Sequence, residues 1–150
     1  MLIHGSAYPV YNTANININD VTMNYTAQAN GAALYNTGTL NMTGGSIKSG
    51  GHGFVNRGGN ATVRSATIEG GAYPAVNLDS GSVSKLYNCT IGTLYNHDAV
   101  GSGQVYLINS SASSITGNPV VSITYNGDSL AMFIYSASNY TNAEFPTWST

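Results

Sequence analysis

Six carboxylates, three histidines, one cysteine and eleven tyrosines are the side chains with which this 150-residue chain could do chemistry. Two carboxylates about 5–10 Å apart in a groove suffice to cleave a glycosidic bond. Asp20, Glu69, Asp79, Asp98, Asp128 and Glu144 are instead scattered singly along the chain. His97-Asp98 is the one adjacent His–carboxylate pair, and a metal there would need further ligands; the pair reads as surface loop. Ser82-Val-Ser-Lys85 matches the Ser-x-x-Lys of serine acyl-enzymes. That chemistry needs a helix N-terminus and partner motifs, whereas this segment reads as strand. Gly50-Gly-His-Gly53 opens no helix and is no phosphate loop. Cys89, being single, forms no internal disulfide and no cysteine-based zinc site, and reads as a packing residue. No catalytic, metal or cofactor-binding residue emerges, and no cofactor is expected.

The tyrosines remain. Tyr8 and Tyr73 stand beside prolines, and Tyr95 lies within an irregular stretch, 92–103, read as a long loop. Exposed tyrosine among Asn, Ser and Thr is the surface chemistry that binds glycans, through stacking and hydrogen bonds rather than charge. Tyr8, Tyr73 and Tyr95 are therefore the candidate glycan contacts, while Tyr11 and Tyr35 read as residues that cover a turn.

Composition narrows the partners. Charged residues are 7 % of the chain and the net charge is −2, against roughly 25 % charged in soluble domains. Four Lys plus Arg make no nucleic-acid footprint. No apolar run approaches the roughly 18 residues of a membrane span. Met1 to Gly5 has neither a basic nor an apolar stretch, so it does not read as a secretory signal. An excised segment and a virion component released by lysis both fit that start. Gly, Asn, Ser and Thr make up nearly half of the residues, so any core must be thin and its backbone satisfied repetitively.

What positions these residues is a repeat. Ile18-Asn-Asp-Val-Thr-Met23, Met42-Thr-Gly-Gly-Ser-Ile47, Val63-Arg-Ser-Ala-Thr-Ile68 and Leu86-Tyr-Asn-Cys-Thr-Ile91 follow one template, with a degenerate fifth copy at Leu107 to Ala112. A second motif alternates with it: Pro9-Val-Tyr-Asn12, Ala33-Leu-Tyr-Asn36, Gly53-Phe-Val-Asn56 and Pro74-Ala-Val-Asn77. Short β-branched segments separated by Gly-rich bends every 21–24 residues, without a helical period, describe coils of a parallel β-helix. Equivalent positions then stack about 4.8 Å apart. The inner columns are Ile18/Met42/Val63/Leu86 and Met23/Ile47/Ile68/Ile91, with a cramped column of Val21, Gly45, Ala66, Cys89 and Ser110 between them. Asn12, Asn36, Asn56 and Asn77 are expected to form an inward ladder of side-chain amides at a turn. Asn96 and Gly101 compete for the next ladder position. Outward, Thr22, Ser46, Thr67, Thr90 and Ser111 form a hydroxyl column that suits exposed strands. The neighbouring column, Asn24, Lys48, Glu69 and Gly92, breaks the flat uncharged plane an ice lattice would need. Lys48 over Glu69 is expected to be an exposed ion pair.

In these residues the chain resembles right-handed parallel β-helix proteins of the pectate-lyase-like type, and above all the Gly/Asn/Thr-rich repeats of bacterial adhesins and phage tail proteins. Leu34 to Ile47 carries the resemblance most clearly. It implies an all-β, single-stranded right-handed solenoid of about six rungs over 1–128, with 129–150 as a C-terminal cap or contact segment. The enzymes of that type group carboxylates along one strand face, a pattern missing here. The expected function is a non-catalytic structural or attachment module of a phage tail or fibre, on the virion surface or outside the cell, recognising a host glycan or protein. An adhesin segment, a fragment of a carbohydrate-active lyase or hydrolase, and a filament subunit are the alternatives. Homotrimers, as in tailspikes, or end-to-end self-association would meet the problem of open strand edges.

Overall fold

Alternating apolar residues broken every few positions by Gly, Asn or Asp favour short strands over helices. The computed structural model describes residues 8–26, 30–79, 81–97, 103–117, 120–126 and 129–135, and among these there are sixteen strands and no helix. They wind into a parallel β-solenoid with three sides. The first side holds β1 (Val10–Asn12), β4 (Ala32–Asn36), β7 (His52–Arg57), β10 (Val76–Asp79) and the second half of β12 (Thr90–Asn96). On the second lie β2 (Asn15–Asn19), β5 (Thr39–Thr43), β8 (Asn60–Arg64), β11 (Val83–Tyr87), β13 (Gln104–Ile108) and β15 (Val120–Asn126). The third is β3 (Thr22–Tyr25), β6 (Ser46–Ser49), β9 (Thr67–Glu69), the first half of β12 and the start of β14 (Ser111–Gly117). Because β12 runs on through Gly92 without a loop, hydrogen bonding joins the first and third sides into one sheet.

Every pairing is parallel except the last. β16 (Ser129–Tyr135) turns back antiparallel on β15, from Val120 opposite Tyr135 to Asn126 opposite Ser129. With this reversal the solenoid makes about five turns: among the described residues no third-side strand follows β15. Residues 136–150, the rest of the expected C-terminal cap, lie outside the described residues.

The inner columns follow the expected register. Ile18, Met42, Val63 and Leu86 are successive partners, as are Met23, Ile47, Ile68 and Ile91. A third column, Val10, Leu34, Phe54, Val76, Leu94 and Ile115, fills the core behind the first side. The outward hydroxyl column is also in register, and Lys48 Nζ lies 3.5 Å from Glu69 Oε2 with both side chains exposed.

The corner between the second and third sides is a two-residue bend. Its first residue is left-handed in all five turns: Asp20, Gly44, Ser65, Asn88 and Asn109, with φ of 49°, 70°, 54°, 52° and 49°. Each N–H there donates to a second-side strand carbonyl of the following rung, at 2.8–2.9 Å. Gly, Asn and Asp tolerate this region best, so Ser65 is the misfit of the column. Ser65→Gly is expected to stabilise the fold by about 0.5–1 kcal/mol, and Ser65→Val to weaken it. A melting temperature that falls for the glycine variant would contradict the assignment of strain to this bend.

The second bend residue explains Cys89. Its thiol is buried, faces the carbonyls of Tyr87 at 3.3 Å and Val63 at 3.7 Å, and is pushed up in pKa chiefly by burial. That is the environment of an inert packing residue.

Candidate functional site

The corner between the first and second sides holds the amide ladder. Asn12 Nδ2 donates to Asn36 Oδ1 at 2.7 Å, and Asn36 Nδ2 donates to Asn56 Oδ1 at 2.8 Å. Each amide also donates to turn carbonyls, so one side chain ties two rungs and closes its own bend. Asn36 and Asn56 are wholly buried.

Asn77 is not in this ladder. Asn56 pairs with Leu78, and Asn77 lies opposite Val55. In the first three copies the residue two before the asparagine is Val10, Leu34 or Phe54, which fills the core. In the fourth it is Ala75, too small for that column. A shift of one residue puts Val76 in the core and Leu78 in the ladder, both fully buried. Leucine accepts no hydrogen bond, and the amide of Asn56 turns to Ser84 Oγ at 2.8 Å instead. One rung on, Asn96 pairs with Leu78 and restores the amide. It is fully buried, donates to the Gly103 carbonyl and accepts from the Gly103 N–H.

Outside the ladder, the first side carries an aromatic surface. Tyr11 and Tyr35 are register partners whose rings stack at 5.1 Å with 13° between planes. Tyr8 packs obliquely on both, its ring centroid 4.6 Å from Tyr35 and 6.1 Å from Tyr11. Tyr73 lies 4.9 Å from His52, and Tyr95 lies 5.1 Å from His97. All five of these ring contacts belong to first-side strands or their flanking loops. Of the three tyrosines singled out from sequence, Tyr8 is half-buried in a cluster of its own, while Tyr73 and Tyr95 each pair with a histidine. They do not form one group. Among the described residues the most exposed ring is Tyr11, at 55 %, with Tyr73 at 36 %. Tyr11 does not merely cover the turn: the alternation that buries Asn12 points Tyr11 outward.

His52 is half-buried, and its Nδ1–H donates to the Pro74 carbonyl at 3.1 Å, holding the loop that presents Tyr73. Burial lowers its pKa, against a smaller opposite effect of the Pro74 bond. A lowered histidine pKa means that the unfolded chain takes up more protons as pH falls through about 6.5. Stability is therefore complete above that pH and declines below it. Thermal melts from pH 7 to 5 should show a falling midpoint for the native protein and a flatter profile for His52→Phe.

Two of the described carboxylates stand apart from each other. Asp20 sits at the corner between the second and third sides, and Glu69 faces Lys48 on the third. Asp98 and Asp128, like Glu144, lie outside the described residues. Among the described residues no three His, Cys, Asp or Glu side chains form a group that could hold a metal ion, and no helix is long and apolar enough to cross a membrane. Compared with protein-family models, curated proteins and solved structures, the chain matches none of them.

Proposed function

We propose that this solenoid is a non-catalytic structural and attachment module, of the kind found in phage tails and fibres, that recognises a neutral surface glycan along its first side. The observation that carries this is the Tyr8–Tyr11–Tyr35 cluster, with Tyr11 more than half exposed. Aromatic faces meet the C–H faces of sugars, a contact that needs no charge. A rigid solenoid suits this work, because its columns hold the rings in place before the ligand arrives. The dispersal of Asp20 and Glu69 over separate columns supports a binding role over hydrolysis or elimination. The setting would be a virion surface or the cell exterior, where a bacterial adhesin would use the same chemistry.

The test is a panel of neutral and acidic oligosaccharides, followed by titration of the best binder. Tyr11→Ala is expected to weaken binding about tenfold, equivalent to about 1.4 kcal/mol for one lost stacking partner. Thr22→Ala, on the third side, should leave it unchanged. Binding that ignores Tyr11, or no binding to any glycan, would remove the proposal.

A further inference from the structure

We propose that the outer face of the second side, at its C-terminal end, seats the chain's own last segment, 136–150, which crosses it as a clasp through Phe145 and Trp148. The outward columns of this side change character along the solenoid. One runs Asn19, Thr43, Arg64, Tyr87, Ile108 and Ile123, and its neighbour runs Asn17, Asn41, Thr62, Lys85 and Tyr106. The three asparagines, Thr43 and Arg64 are exposed, as outward positions should be. Tyr106, Ile108 and Ile123 are only 3–4 % exposed, and they form an apolar cluster of their own with Val83 and Tyr87. β13 is thus buried on both faces from Val105 to Ile108, the pattern of a strand covered from outside.

These side chains are covered within a single chain, so the cover is the chain's own. The described strands all belong to the wall of the solenoid, and β16 only extends the second side as its edge. Residues 98–102 fall short. Asn96 and Gly103 are hydrogen-bonded to each other, so a loop between them projects at most about 10 Å. Ile108 lies five positions along from Gly103, about 16 Å away. Residues 1–7 precede Tyr8 on the first side and would have to turn a corner and cross four strands, about 19 Å.

Residues 136–150 meet the requirement. They follow Tyr135, which stands opposite Val120, next to the Val121 that pairs with Tyr106. From β16 to β11 is three strand steps, about 15 Å, whereas fifteen extended residues reach about 50 Å. The segment carries Tyr140, Phe145 and Trp148. Its one charged side chain, Glu144, complements the cations that border the cluster: Lys85, the register partner of Tyr106, and Arg64, whose guanidinium lies 4.7 Å over the Tyr87 ring. The segment therefore lies along the second side instead of closing the open end of the last turn. This inference is independent of the glycan proposal, which concerns the first side.

Trp148 is the chain's one tryptophan, so its fluorescence reports the clasp directly. In the full chain it is expected to emit to the blue of the urea-unfolded chain and to be quenched by acrylamide about fivefold less. Ile108→Asp should undo both effects, while Thr43→Asp, in the polar part of the same column, should leave them. A charge at Ile108 also tests the fold, so the segment is varied separately. Phe145→Ser with Trp148→Ser should raise hydroxyl-radical labelling of Tyr106 about tenfold and leave amide exchange in β4–β8 unchanged. A tryptophan as open to acrylamide in the native chain as in urea would overturn the clasp. Unchanged labelling of Tyr106 in the segment variant would overturn it too, and would assign the cover to another part of the chain. Protection of Trp148 that grows with protein concentration would show the segment docking on a second copy and overturn the intramolecular contact.

Discussion

Replacing Asn36 with alanine is expected to destabilise the solenoid by about 3 kcal/mol, a large share of the 5–15 kcal/mol typical of a domain. Asn36 is wholly buried and sits in the middle of the ladder. It accepts from Asn12, donates to Asn56, and donates to the Gly38 carbonyl at 3.0 Å. Alanine removes these bonds, with a longer one to the Asn60 carbonyl at 3.5 Å, and leaves Asn56 Oδ1 without its amide donor in a dry interior. A buried polar group stripped of its partner bears its whole desolvation penalty, about 1–3 kcal/mol, beyond the bond itself. The protein contains its own control. At the fourth rung leucine occupies the ladder, and Ser84, in the inner column Ile16/Leu40/Ala61/Ser84/Val105, accepts the amide that leucine cannot. Asn36→Leu alone has no such hydroxyl beside it, because the matching position is Leu40. Asn36→Leu and Leu40→Ser are thus expected to couple favourably by about 1 kcal/mol in a double-mutant cycle, although Leu40→Ser by itself weakens the core. Urea denaturation of the four proteins measures this. Additive effects, or a loss below about 1 kcal/mol for Asn36→Ala, would mean that the ladder amides contribute no more than solvated ones.

The same fourth rung marks where the sequence was legible and where it was not. Stacked columns were readable because a solenoid repeats one solution: the spacings that align Ile18 with Met42, Val63 and Leu86 are the spacings of the rungs. The asparagine motif was readable as a ladder for three copies on the same grounds. At Asn77 motif and core disagreed, and the core prevailed. Burying Val76 and Leu78 outweighs one amide when a serine hydroxyl stands ready to replace it. Ala75, small where Val10, Leu34 and Phe54 are large, was the visible sign. The left-handed corner was written in the column Asp20, Gly44, Ser65, Asn88 and Asn109, all small or polar residues, yet only backbone geometry distinguishes a left-handed bend from an ordinary turn. The aromatic surface was legible as composition rather than as place. Sequence selected tyrosines by their neighbours in the chain, whereas exposure is set by neighbours one rung away, which is why Tyr11 rather than Tyr8 is the open ring.

Phe54→Ala is expected to be the most damaging single truncation, at about 4 kcal/mol, with Ile115→Ala near 1 kcal/mol. The two residues share one inner column. Phe54 is fully buried in the third rung, with Leu34 on one side and Val76 on the other, both also fully buried. Ile115 is partly buried and packs against the core from the last described position of that column. Part of the difference is size, since phenylalanine leaves the larger cavity. The rest is architecture. In a solenoid each rung is stabilised only through its two neighbours, so a central defect weakens two interfaces and a terminal one weakens a single interface. The consequence is qualitative as well as numerical. A weakened third rung divides the column, and the rungs on either side then open with less reference to each other, so urea unfolding should broaden and its apparent m-value should fall. Ile115→Ala should shift the midpoint and leave the slope as it was. Hydrogen exchange gives the spatial check: protection in Phe54→Ala should drop first in β7 and its partners β4 and β10, while in Ile115→Ala it should drop first in β14. Equal costs at the two sites, or a uniform loss of protection in both variants, would show a single cooperative unit in place of nearest-neighbour rungs.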